Sequence, residues 1–199
     1  MSEVSPTRSA VLEMKDERRA MHEGHVFLDE KCLLLAGEIL RQLEQHARGQ
    51  REFVALHDDA LARLQAAVAR HGLQELQVYP PTELPQAPLD VATRSLMGVR
   101  LQQAQWSSQA ASAADAVLPS PEAEACRQAF AAVLAAAAQL AAVSGNLERL
   151  SLEYRRSVRR ARALQDVLLP EADRTIAELE VRLAELEQEE AIMLRRGRR

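Results

Sequence analysis

Apolar residues return at alternating three- and four-residue steps through two stretches, about residues 6–72 and 120–196, with a proline-rich interval between them. That spacing keeps side chains on one face of an α-helix. Two such helices at the two ends of one chain most simply fold back on each other. The expected fold class is therefore all-α in the main, a long antiparallel two-helix coiled coil with a short β-hairpin or irregular middle segment. It would form a single elongated domain over residues 1–199. A helix of 65–75 residues spans roughly 100 Å at about 1.5 Å per residue, so much of such a rod should lie against partners.

Composition agrees with helices and argues against a thick core. Aromatics are 3% of the chain and glycines number 7, whereas Ala, Leu, Glu, Gln and Arg dominate. A thin seam needs mainly Leu, Val and Ala. The net charge of -4 selects neither acidic nor basic partners as a class. Cys32 and Cys126, the only cysteines, both fall in helical apolar patterns and read as reduced, seam-facing thiols of a cytosolic protein. Met1–Thr7 is polar and lacks the apolar core of a signal peptide. The Ala-rich run Phe130–Val143, interrupted by Gln139, falls short of the roughly 20 apolar residues that span a bilayer.

Ser5-Pro6 reads as a helix start, a capping side chain followed by proline at the first helical position. Leu28, Cys32, Leu35, Ile39 and Leu43 form the first stripe, continued by Val54, Leu61, Leu64 and Val68. Arg70-His71-Gly72 reads as its stop. Gly24, Gly37 and Gly49 inside this helix point to bending or to close approach of a neighbour. Pro80, Pro81, Pro85 and Pro88 exclude a regular helix in the 73–119 segment. Within it Val91, Thr93, Met97, Val99 and Leu101 share one parity, the pattern of a strand or hairpin near 89–103. Residues 104–117 fit either a short helix or a loose connection. Ser120-Pro121 with Glu122 and Glu124 repeats the helix start. Leu147, Leu150, Tyr154, Leu164 and Leu168 form the second stripe, which Ile176, Leu179, Leu183 and Leu186 resume beyond Pro170, where a kink is expected.

Residues with chemical potential are scattered. His22 and His25 lie three apart but lack a third ligand. His46, His57 and His71 have no carboxylate or nucleophile placed by sequence to make a triad. Neither a GxxxxGK[ST] loop nor a GxGxxG after a strand is present, so no nucleotide cradle is recognisable. No cofactor, metal or catalytic residue is expected. Arg155, Arg156, Arg159, Arg160 and Arg162 make the densest basic cluster. With no aromatic platform beside it, ion pairing with protein partners is the preferred reading over nucleic acid.

Three pieces together carry a family resemblance. Ser5-Pro6-Thr7-Arg8 leads a charged, Leu-rich helix through Gly24-His25 to Leu33-Leu34-Leu35. Arg94-Ser95-Leu96-Met97-Gly98-Val99 stands in the middle. Arg162-Ala163-Leu164, Leu169-Pro170, Arg174-Thr175-Ile176 and a Glu-rich run to Glu190 close the chain. In order and spacing the whole resembles the D-subunit family, the central-stalk rotors of A/V-type ATPases and ATP synthases. It departs in having Arg162 where the family usually has Asn, and in lacking a Pro near Gln102.

The resemblance implies a non-catalytic axle within a ring of A and B subunits, binding an F subunit and docking on a membrane-side C (or d) subunit. It implies a cytoplasmic location, peripheral to the membrane, without insertion and without nucleic acid. Ring ATP turnover would couple to proton or sodium translocation. Arg155, Arg156, Arg159, Arg160, Met97, Gly98 and Val99 are the candidate partner contacts. A coiled-coil adaptor with no motor role is the rival reading of the same stripes.

Overall fold

The computed structural model describes residues 6–76, 89–106 and 119–197. Helix α1 runs Arg8–Leu76, strand β1 Leu89–Leu96 and strand β2 Val99–Trp106. Helix α2 runs Pro121–Ala163, a π-helical turn covers Leu164–Leu168, and helix α3 runs Leu169–Arg196. The fold is mainly α, with antiparallel helix pairing and one two-stranded sheet. The prolines at 80–88 lie outside the described residues, as do 107–118.

Two compact units stand where one elongated domain is expected from the sequence. The first joins Met1–Leu35 to Tyr154–Arg199, and the second is Ala36–Glu153. The second gathers the hairpin onto its flanking helices. In the first unit the pairing is antiparallel: Arg8 meets Glu187 at 2.7 Å, Lys15 meets Glu180 at 2.6 Å, and Arg18 bonds Asp173. In the second, Arg70 meets Glu122 at 2.5 Å, and the backbone of Gly49 approaches the Leu140 side chain. A Cβ at Gly49 would sit 3.6 Å from Leu140 Cδ1. That is ordinary van der Waals contact, so Gly49 borders α2 without the neighbour requiring a glycine there.

The first helix starts later than Ser5-Pro6 suggests. Thr7 is its cap: the Ala10 N–H donates to Thr7 Oγ1 at 3.2 Å, and Val11 N–H to the Thr7 carbonyl. Ser5 lies outside the described residues, and Pro6 precedes the helix. Gly72 takes a left-handed φ of 73°, but the chain makes another helical turn to Leu76. At the other start, Ser120 Oγ accepts from the Ala123 N–H at 3.1 Å ahead of Pro121. His71 Nε2 lies 2.5 Å from the same hydroxyl, tying the end of one helix to the beginning of the other.

Pro170 disturbs the ladder one turn upstream of itself. It has no N–H for the Asp166 carbonyl, and its ring would crowd that oxygen in a regular helix. The chain widens there, and the Leu169 N–H donates to the Leu164 carbonyl, five residues back. One additional residue is thereby inserted into the repeat.

Among the described residues, one continuous helical segment, Pro121–Arg196, contains an 18-residue window apolar enough by composition and length to cross a membrane. This reaches beyond the reading of Phe130–Val143 alone. Within that segment Leu140 packs against α1 at Gly49.

Candidate functional site: the helix seam and the hairpin clasp

The seam follows a stricter repeat than the large apolar residues suggest. From Leu28 the inward positions run Cys32, Leu35, Ile39, Gln42, His46, Gly49, Phe53, Leu56 and Ala60. Every step alternates four and three residues, the 3.5-residue period of a coiled coil. Leu35 and Leu150 are fully buried, Ile176 and Leu179 nearly so. Leu28, Cys32, Ile39, Leu147, Tyr154, Leu164 and Leu183 are half-buried.

Leu43, Leu168 and Leu186 are exposed, contrary to their expected seam positions. Two four-residue steps in succession rotate Leu43 about 80° past Leu35 at roughly 100° per residue, and Gln42 takes the buried place. Val54 and Leu61 are exposed for the same one-residue slip, with Phe53 and Ala60 turned in. The π turn carries Leu168 outward and brings Leu169 in, after which Ala172, Ile176 and Leu179 resume the buried face. Leu186 lies at the level of the first turn of α1, where Arg8 meets Glu187 and cover runs out. Both thiols are free and half-buried, and burial pushes their pKa values up. They are poor nucleophiles.

The hairpin closes through Met97-Gly98, whose φ values of 47° and 85° are both left-handed. Two positive φ values in a two-residue turn match the twist of the flanking strands. Leu96 pairs with Val99, Arg94 with Leu101 and Thr93 with Gln102. Paired residues share a face, so the apolar parity switches across the turn. Val99 and Leu101 are buried, whereas Val91 and Thr93 belong to the opposite face and are exposed. The single-parity reading fails at this point, and Val99, expected to touch a partner, is an internal anchor. Met97 is half-buried and Gly98 exposed.

Asn146, 2% exposed on α2, clasps the outer edge of β2. Its Oδ1 accepts the Gln102 N–H at 2.7 Å, and its Nδ2 donates to the Gln102 carbonyl at 2.8 Å. The side-chain amide thus acts as one rung of an additional strand. Arg149 Nη2 donates to Asn146 Oδ1 at 2.8 Å and to Gln102 Oε1 at 3.1 Å, filling the remaining acceptor capacity. On α1, Glu38 accepts from Arg41, Gln42 and, across the hairpin, Arg94. Nothing in a stripe search flags Asn146 or Glu38. The signal available was a polar residue on an otherwise apolar and small-residue face.

The hydrogen bond from Arg41, with help from Gln42 and Arg94, holds the Glu38 carboxyl below the ordinary glutamate range. A depressed folded pKa stabilises the fold above the unfolded value and is lost as pH falls through the lowered one. Only the Arg94 contact, the least of these causes, ties that stability to the hairpin, so hairpin attachment should weaken slightly, and only on acidification below about pH 4.3, the ordinary Glu value. Fluorescence of Trp106, at the end of β2, would follow it. Glu38→Gln should remove that acid-dependent change and leave the hairpin weaker at neutral pH.

No group of three or more His, Cys, Asp or Glu side chains converges as a metal site among the described residues. His25 faces Asp29 at 3.6 Å, and His22 is exposed. A shallow concavity near the end of α3 is lined by Leu186, Glu189, Glu190, Met193 and Leu194. Its only charged groups are two carboxylates on one helix face. The geometry describes a class: a mainly helical, coiled-coil protein that carries a small hairpin clasped to its helices. Residues 10–199 match the ATP synthase D-subunit family, and the chain belongs to it. It is 27% identical to the D subunit of the A-type ATP synthase of Pyrococcus abyssi, over 97% of this chain and 92% of that protein. The A-type D subunit of Thermococcus kodakarensis is 28% identical over the same shares. The V-type ATP synthase D subunit of Thermotoga neapolitana is 24% identical over 97% of this chain and 96% of its own.

Proposed function

We propose that this chain is the central-stalk rotor of an A/V-type rotary ATPase or ATP synthase, carrying torque between ATP turnover in the A/B ring and ion translocation in the membrane sector. Membership of the D-subunit family supports the place in the complex. The observation that carries the mechanical part is the antiparallel pairing of helices within each unit, braced across the helices by Arg8–Glu187, Lys15–Glu180 and Arg70–Glu122. Exposed pairs of this kind add little stability, about 0–1 kcal/mol each. Spaced along a seam, they resist sliding and unwinding of one helix on the other, the deformations that torque imposes.

In this reading the chain binds the A and B subunits, an F subunit and a membrane-side C (d) subunit, and stays peripheral to the membrane. It contributes no catalytic residue, since ATP is turned over between A and B. An axle without three-fold symmetry offers each site of a three-fold ring a different face, and that differential contact biases each site's conformation. The Met97-Gly98 tip, half-buried at Met97 and exposed at Gly98, and the arginines 155–160 are its proposed contacts. Removing Leu169–Arg199 from the chain in the assembled complex should abolish ion pumping driven by ATP. Pumping that stayed coupled to hydrolysis would overturn the proposal.

A further inference from the structure

We propose that the π-helical turn Leu164–Leu168 and the facing Gly24 form a torsional joint, the level of the first unit at which its paired helices yield to twist. That the joint takes up torque rests on the stalk reading above; that the pair is soft there does not. From Tyr154 the inward positions run Ser157, Ala161, Leu164, Leu169, Ala172, Ile176, Leu179 and Leu183. Their steps alternate three and four residues except from Leu164 to Leu169, a step of five. Removing one residue would restore the alternation, so the turn holds one residue more than a continuous coiled coil takes. A π turn inside an α-helix is rare, and it commonly marks a place of function.

Packing thins at the same level. Ser157 and Ala161 before the turn are buried, as are Ala172, Ile176 and Leu179 after it. Within the turn Leu164 is half-buried and the four residues that follow are exposed. The ion pairs Arg8–Glu187, Lys15–Glu180 and Arg18–Asp173 all lie on the α3 side, fastening α3 to the first turns of α1 as one body. Gly24 supplies the matching weakness on α1. A Cβ there would sit 3.9 Å from Leu164 Cδ1, an ordinary contact. Packing leaves room for alanine, which would hold the helix better. Beside it His25 Nε2 is buried without a hydrogen-bond partner among the described residues, 3.6 Å from Asp29 Oδ2. A weak turn on one helix alone would be splinted by its neighbour; here both helices are weak at one level.

Hydrogen exchange on the full chain tests the joint. Amides of Gln165–Leu169 and of Gly24–Leu28 should exchange about ten-fold faster than those of Ser157–Ala161 and Ala172–Leu179. Deleting Asp166 together with Pro170→Ala restores the alternation and supplies the N–H that proline lacks. That straightened chain should melt no lower than wild type. Its exchange should slow about ten-fold at Gln165–Leu169, and slow as well at Gly24–Leu28, although α1 is unaltered. Even protection along both helices of the wild-type chain would overturn the inference, and so would a straightened chain that melts lower. Torque is tested in the assembled complex, stalled without nucleotide, by the angular fluctuation of a rod attached to the stalk outside the ring. The straightened chain should narrow it. Unchanged width, with the exchange results as expected, would overturn the torque-bearing role alone. A wild-type complex whose rod does not turn on adding ATP would overturn the stalk reading instead.

Discussion

Leu179→Asp should unfasten both helical segments of the first unit, although the substitution touches only one of them. Leu179 is 4% exposed and follows Ile176 on the buried face of α3. A carboxylate there is either desolvated or forces the helices apart, at a cost of about 3–5 kcal/mol. Since Lys15 meets Glu180 across the seam, the damage belongs on residues near 8–25 as well as on 170–190. Hydrogen exchange should show amide protection falling in both segments together, while Val99–Trp106 keeps its protection. Leu179→Ala should show the same pattern at about 2–4 kcal/mol, the range for truncating a buried leucine. Protection lost around residue 179 alone would mean that the first and last parts of the chain do not pair.

Asn146→Ala should release the hairpin from α2. The substitution leaves the Gln102 N–H and carbonyl without their partner and deprives Arg149 of an acceptor. Unsatisfied buried groups cost about 1–3 kcal/mol each, so a loss of about 2–4 kcal/mol is expected, with exchange accelerated across Val99–Trp106. Asn146→Asp keeps an acceptor for the N–H but sets a carboxylate against the Gln102 carbonyl. It should fall between wild type and Asn146→Ala. Unchanged exchange in both variants would show that Val99 and Leu101 suffice to hold the hairpin.

Much of this architecture can be read from residue spacing. Both long helices, the hairpin and the Ser120-Pro121 start are written in local pattern, because propensity, capping and period agree there. The register of the seam was less legible. Leu43 and Gln42 compete for one position, and choosing the more apolar residue selects the wrong one. Steady alternation of four and three residues decides for Gln42, and Gly49 beside Leu140 shows that small residues also serve inside. The slip at Leu168 follows from Pro170, but spacing alone places the disturbance at the proline and not a turn earlier. Asn146 stood out only as a polar residue on an apolar and small-residue face, and its role was not legible because it lies in a contact with Gln102, far along the chain. The outward basic face was visible as composition.

Coupling is tested most directly by stopping the axle. A cysteine replacing Arg159, in a Cys32→Ala/Cys126→Ala background, would be joined to the surrounding ring of the assembled complex through a reducible crosslinker. The account predicts that ATP hydrolysis and ion pumping fall together in proportion to the crosslinked fraction, and recover together on reduction. Undiminished, coupled pumping by a complex whose chain is covalently held to the ring would contradict it.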